Sequence, residues 1–270
     1  MARFLLIAVI GGLVLKGVVG ALESSFVFFP YKGEDKTPAS FGIPYQVVQL
    51  TTSDGERLTA WQLEPERPIA DVVYFHGNGG NLSVWLPVLA AIHRQHLRVL
   101  AVDYRGYGLS TGSPSEAGVY LDAEAAVRHA ESRRAGPSRP LVFWGRSLGG
   151  PIAASATRVV TPDGLVLEGS FPDKAAVAAT QPVLRFLNLF AAYRFSTVEL
   201  MRDFSNPVLV MHGERDSIMP LALGRVLFGR ISGPKQLVVI PGADHNDFFD
   251  ASQSAYWGPV LEFVARLGRP

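Results

Sequence analysis

At 270 residues the chain is long enough for one large domain and short for two ordinary ones. Its formal net charge of +1, with no run of like sign, offers no electrostatic footprint for nucleic acid. The absence of cysteine excludes disulfides, zinc–thiolate sites, a thiol nucleophile and lipid attachment through cysteine, and makes the chain indifferent to redox compartment.

Residues 4–22 are apolar or glycine except Lys16. As a helix they cover ~28 Å, close to the hydrocarbon thickness of a bilayer. Phe26, Phe28, Phe29 and Tyr31 follow, an aromatic cluster suited to a membrane–water boundary. This pattern predicts a single-pass N-terminal anchor over residues 1–25, with Arg3 and the α-amine favouring a domain outside the cytoplasm. Two readings compete with it. One is a cleaved signal peptide with Val19-Gly20-Ala21 as the cleavage site, and the other is a helix packed on the domain. Residues 26–44 read as a linker, polar and Pro/Gly-bearing from Pro30 onward, and residues 45–270 as the catalytic domain.

Within that domain, Tyr45-Gln-Val-Val-Gln-Leu50 and Arg57-Leu-Thr-Ala-Trp-Gln-Leu63 alternate around Ser53-Asp54-Gly55, predicting a β-hairpin. Short, wholly apolar strands are predicted at 72–75, 99–102, 141–144, 165–167, 208–211 and 236–240, with helices at 82–93, 115–134 and 256–267. Residues 171–204 read as helical, and their apolar stretch 183–190 suits buried core, an apolar lid, or both. Strands alternating with helices imply a mainly parallel sheet covered on both faces, with the hairpin at one edge.

In such a sheet the chemistry gathers at the C-terminal ends of the strands. Those ends carry His76-Gly77-Asn78, Asp103-Tyr104-Arg105-Gly106, Ser147, Glu168, Asp216 and Asp244-His245. Ser147 is the centre of Gly145-Arg146-Ser147-Leu148-Gly149, a G-x-S-x-G pattern between a strand and a helix, where a tight turn presents a nucleophile. A serine needs a base to take its proton, and His245 has the pKa range for that task. Asp216 would fix the imidazole's tautomer, while Glu168, also at a strand end, is the other candidate acid. Negative charge developing on an attacked carbonyl oxygen requires donors already in place, and the backbone N–H groups of Leu148 and Asn78 are the candidates. Gly77, Gly79 and Gly80 let the second loop pass close to a substrate. His76 and His212 suit hydrogen bonds to loop backbone. His93 and His96 lack the carboxylate or cysteine company of a metal site, and no cofactor or metal is called for.

Five segments together carry a resemblance. They are His76-Gly-Asn-Gly-Gly-Asn81, Asp103-Tyr-Arg-Gly-Tyr-Gly-Leu-Ser110, Gly145-Arg-Ser-Leu-Gly-Gly150, His212-Gly-Glu-Arg-Asp-Ser-Ile-Met-Pro220 and Gly242-Ala-Asp-His-Asn246. From about residue 47 onward the chain resembles an α/β-hydrolase-fold serine hydrolase. With its apolar N-terminus and Phe26-Val-Phe-Phe-Pro30, it looks like the N-terminally membrane-anchored alpha/beta-hydrolase-domain branch that includes palmitoyl-protein thioesterases. The resemblance implies the α/β-hydrolase fold, no cofactor, a triad of Ser147, Asp216 and His245, and cleavage of carboxylic esters or thioesters. The anchor and the stretch 183–190 point to lipid or acylated substrates near a membrane. A peptidase or amidase of the same fold is the alternative enzyme, and a membrane-anchored binding protein without catalysis the alternative of another class.

Overall fold

The computed structural model describes residues 2–134, 139–248 and 253–268, with side chains described from residue 11 onward and not at 253. A helix α1 (Ala2–Val27) leads into a two-residue strand β1 (Phe29–Pro30) and a single 3-10 turn at Pro38–Phe41. The hairpin follows as β2 (Tyr45–Thr51) and β3 (Arg57–Leu63). Then come β4 (Ala70–Phe75), the two-residue β5 (Gly79–Gly80), α2 (Leu82–Arg94), β6 (Leu97–Val102), α3 (Glu116–Ser132) and β7 (Leu141–Arg146). The rest is α4 (Gly149–Ala156), β8 (Gly164–Glu168), α5 (Lys174–Ala178), α6 (Pro182–Leu187), α7 (Thr197–Leu200), β9 (Val208–Gly213), α8 (Leu221–Arg230), β10 (Lys235–Ile240) and α9 (Gln253–Leu267).

Eight strands form the main sheet in the order β10-β9-β8-β7-β4-β6-β3-β2. Pairing is parallel from β10 through to β6, and antiparallel where β3 meets β6 and β2. The strand composition explains this layout. Every residue of β4, β7, β8 and β9 is buried, as expected for strands with helices on both faces, whereas the edge strand β2 is largely open. Successive side chains point to opposite faces. Val73, Phe75, Phe143 and Leu165 therefore pack with α3, α4 and α8, while Val72, Tyr74, Val142 and Val166 pack with α2 and α9. Side-chain caps start the crossover helices where their strands end. Asn81 accepts from the Val84 N–H at α2, and Ser115 from the Gly118 N–H at α3.

The chain leaves β4 toward β6 on one side and returns to β7 on the other. A crevice therefore opens beyond the C-terminal ends of β4 and β7, the topological switch point at which such sheets bind ligands.

Two regions differ from the sequence reading, and a third falls partly outside the residues with described side chains. Residues 26–44 do not behave as a free linker, because β1 pairs with β5 and Lys32 bridges to Gly108. Helix α8, which the sequence reading passed over, buries Leu223, Gly224 and Leu227 against the sheet. The membrane-spanning helix expected over 4–22 is not supported: among the described residues no helix is long and apolar enough to cross a membrane. Part of that stretch, residues 4–10, lies outside those with described side chains. The last turns of α1 are committed to protein contacts, with Glu23 buried against Lys174 and the 192–193 backbone.

Candidate active site

Strand β7 runs out at Arg146, and the chain turns at Ser147 with φ of 53°, a left-handed conformation that a serine adopts only when its surroundings enforce it. The Ser147 N–H donates to the Glu168 carbonyl at 2.8 Å. Its own carbonyl accepts from the Gly150 N–H at 2.9 Å and from Ser170 Oγ at 3.0 Å. The flanking glycines are required by packing. A Cβ at Gly145 would overlap the Gly149 carbonyl, and one at Gly149 would overlap the Phe75 carbonyl.

His245 lies on the loop after β10, its Nδ1 2.8 Å from Asp216 Oδ2. A carboxylate only accepts, so Nδ1 carries the proton and Nε2 is left as the basic nitrogen. Asp216 follows β9, and its Oδ1 accepts from the Ile218 N–H at 3.1 Å and the Met219 N–H at 2.6 Å. The two oxygens of this buried carboxylate are thus divided between the imidazole and its own loop. Glu168, the other candidate acid, is committed elsewhere, to Arg146 Nη1 at 3.0 Å and Trp144 Nε1 at 2.9 Å. The structure therefore brings Asp216, not Glu168, to His245.

The remaining polar groups have separate partners. His212 Nε2 donates to the Met219 carbonyl at 2.6 Å and lies 3.4 Å from Asp216 Oδ2, and burial lowers its pKa. His76 Nδ1 donates to the Gly77 carbonyl at 2.7 Å, and burial pushes its pKa down to about 4. Asp244 holds its loop through Ser217, whose N–H and hydroxyl both donate to it, and through the His245 N–H. These bonds, with the one from the Ser217 backbone largest, keep its carboxyl below the usual range. No metal-binding group of His, Asp and Glu occurs among the described residues.

Ser147 and His245 open into one cavity of about 540 Å³, within the usual range for a small-molecule site. Asn78 and Leu148 line it too, and neither of their backbone N–H groups has an acceptor among the described residues. The remaining walls are mainly apolar, with Val84, Val88, Phe171, Val177, Phe195 and Met219 among them. Such a cavity offers a basic nitrogen, a hydroxyl and two free N–H donors beside a mainly apolar wall.

Two contributions escaped the sequence reading. Arg146, inside the motif itself, is buried beneath Trp85 and Phe248 and donates from Nη2 to the His245 carbonyl at 2.6 Å. A charged residue at the end of an apolar strand was the available signal. Phe26 and Val27, from the end of α1, also form part of the wall. Nothing local in the sequence assigns them to a site some 120 residues further along the chain.

A model of the alpha/beta hydrolase fold matches residues 72–201. The chain is 33 % identical over 240 residues to the Saccharomyces cerevisiae membrane protein YNL320W, covering 86 % of this chain and 84 % of that one. It is 29 % identical over 285 residues to the alpha/beta hydrolase domain-containing protein WAV2 of Arabidopsis thaliana, covering 95 % and 92 %. Among solved structures it resembles the Pyrococcus furiosus esterase Pf2001, with a TM-score of 0.71 at 20 % identity, over 90 % of this chain and 98 % of the esterase. The chain belongs to the alpha/beta hydrolase family.

Proposed function

We propose that this hydrolase cleaves carboxylic esters or thioesters of acylated substrates through an acyl-enzyme on Ser147. The observation that carries the reading is the 2.8 Å contact between His245 Nδ1 and Asp216 beside a left-handed Ser147 in the same cavity. His245 Nε2 takes the Ser147 hydroxyl proton as Oγ bonds to the acyl carbon, and Asp216 stabilises the resulting imidazolium. The carbonyl electron pair moves onto oxygen, which the Asn78 and Leu148 N–H groups receive. Collapse breaks the bond to the alcohol or thiol, and the imidazolium returns its proton to that leaving group. Water then repeats the sequence on the acyl-enzyme and frees the acid. The apolar wall favours an acyl chain over a polar substituent.

Membrane association belongs to the same proposal. Leu13, Val14, Val18, Leu22 and Phe26 are exposed along α1, and Val183, Phe186 and Leu189 along the α6 region. A similar yeast relative carries the name of a membrane protein. Co-flotation of the full chain with phospholipid vesicles is the expected outcome, and recovery only in the lipid-free fraction would remove this part of the reading.

A fluorophosphonate probe tests the chemistry. It is expected to label the full chain at Ser147 and to leave Ser147→Ala unlabelled. Comparison of p-nitrophenyl acyl esters with peptide p-nitroanilides then separates ester from amide specificity, and faster turnover of the anilides would reverse the assignment.

A further inference from the structure

The loop that carries Asn78 is not held by its own glycines. Its carbonyl accepts two hydrogen bonds, from the Phe29 N–H at 2.9 Å and from the buried Tyr107 hydroxyl at 2.7 Å. Its side-chain amide donates to the Val27 carbonyl at 3.3 Å. Residues 29–30 run parallel to residues 79–80, and the Tyr31 N–H donates to the Gly80 carbonyl at 3.0 Å. Further along, the Gly108 N–H donates to the Tyr31 carbonyl at 2.9 Å, the Gly33 N–H to the Gly108 carbonyl at 3.1 Å, and Asn81 Nδ2 to the Gly33 carbonyl at 2.8 Å. The segment after α1 therefore threads between the 78–81 loop and the 104–110 loop, and joins both.

From this geometry we infer that residues 27–31, together with Tyr107, form a positioning strap for the oxyanion hole. An amide's N–H and the preceding residue's carbonyl belong to the same rigid peptide plane, so the orientation of the Asn78 N–H is set by the Gly77–Asn78 plane. The Asn78 carbonyl lies in the next plane, and fixing it restrains the two torsions between them. Glycines on both sides supply little restraint of their own. A Cβ at Gly77 would come within 3.1 Å of the Trp85 ring, whereas one at Gly79 would meet nothing within 4 Å. His76 Nδ1 holds the Gly77 carbonyl at 2.7 Å and Trp85 Nε1 the Gly79 carbonyl at 2.8 Å, and the strap adds the restraint on the Asn78 carbonyl between them, from a part of the chain about 50 residues away in sequence. The far end of the segment is anchored as well. Glu23 pairs with Lys174, which lines the cavity, and accepts from the Ala192 N–H at 2.7 Å and the Tyr193 N–H at 3.1 Å. Docking of the N-terminal segment and completion of the hole are therefore one structural event.

The inference rests on the acyl-enzyme reading above, and the test separates the two. An alkyl trifluoromethyl ketone reports on the hole directly. Ser147 Oγ adds to the ketone carbon, the hydroxyl proton passes to His245, and the carbonyl electron pair becomes an oxyanion in the hole. Tyr107→Phe removes one donor to the Asn78 carbonyl and keeps the ring. Phe29→Pro removes the other from an extended position that proline tolerates, with little packing lost because Phe29 is exposed. In the full chain, each single variant is expected to lower kcat and ketone affinity together by about 3- to 10-fold. The double variant is expected to lower both by about 100-fold, the scale of one lost oxyanion donor. KM for a soluble ester and the thermal midpoint should stay close to wild type. Values of kcat and ketone affinity within twofold of wild type in the double variant would overturn the strap. So would a loss of kcat matched by a loss of folded protein or a rise in KM at constant ketone affinity. An inactive, unlabelled wild type would instead overturn the acyl-enzyme reading.

Discussion

At Ser147 a positive φ is enforced by neighbours that leave no room for a side chain on either flank. Gly145→Ala and Gly149→Ala would each drive a methyl group into backbone carbonyl, which cannot move aside as a side-chain tip can. Both variants are expected to lose more than ~2 kcal/mol in urea unfolding and to lose probe labelling, while Gly79→Ala keeps wild-type stability. A second residue-scale effect concerns Asp103, whose carboxyl burial raises to about 7 while its Oδ1 accepts from the Leu82 N–H at 2.9 Å. A raised carboxylate pKa means that the folded state holds its proton longer than the unfolded chain does. Its contribution to stability is full below about pH 4 and is lost as pH rises through about 7. His76 runs oppositely: lowered to about 4, it contributes stability above about pH 6.5 that is lost as pH falls through its folded value. Asp103→Asn mimics the neutral acid and can still accept from Leu82. Its thermal midpoint relative to wild type should rise steadily between pH 4 and 8, and a difference independent of pH would contradict the buried-carboxylate account. The G-x-S-x-G pattern and the histidine after the last strand were legible because each is local. The environment that shifts Asp103 was not, because it is built from β4, β6 and α2 together.

The elements differ in how far their own sequence specified them. The central strands were readable because burial on both faces leaves an unbroken apolar run, and their ends extended by only one or two residues on folding. The 183–190 stretch was ambiguous, since an apolar helix reads alike whether it is core or surface. In the fold α6 buries none of its residues, and Val183 within it and Leu189 just beyond its end are 69 % and 75 % exposed. If this helix delivers apolar substrate, Val183→Ser with Leu189→Ser should leave the thermal midpoint within a degree or two of wild type. Turnover of long-chain esters presented in micelles should fall several-fold while that of a soluble short-chain ester persists, and an equal loss on both would reject a delivery role. The β1–β5 pairing had no legible signal, because two residues of Phe-Pro and two of Gly-Gly satisfy no strand pattern.

Over the whole molecule, Arg146 links structure that the sequence keeps apart. It joins β7 to β8 through Glu168 and reaches the loop after β10 through the His245 carbonyl. Removing one partner of so buried a pair leaves the other charge uncompensated, whereas replacing both with apolar groups costs far less. Arg146→Met is accordingly expected to destabilise by about 3–5 kcal/mol, and Arg146→Met with Glu168→Leu by clearly less than the sum of the two single variants. Additive losses in urea unfolding would show that the pair does not act as a unit.

The sequence by itself determined the alternation of strands and helices, the hairpin, the elbow motif and the short roster of polar residues at strand ends. Each of these is written in local periodicity or in a turn that only certain residues can make. The family resemblance named Asp216 as the acid, but only the tertiary structure gives the physical reason that Glu168 does not take that place, since Arg146 and Trp144 on the neighbouring strand β7 occupy its carboxylate. The tertiary structure alone set Arg146 beneath His245, paired residues 29–33 with the loops that follow β4 and β6, and laid the end of α1 against the cavity. Those relations depend on the order of strands in the sheet and on the path of the chain across its C-terminal edge, and no window of sequence contains both partners.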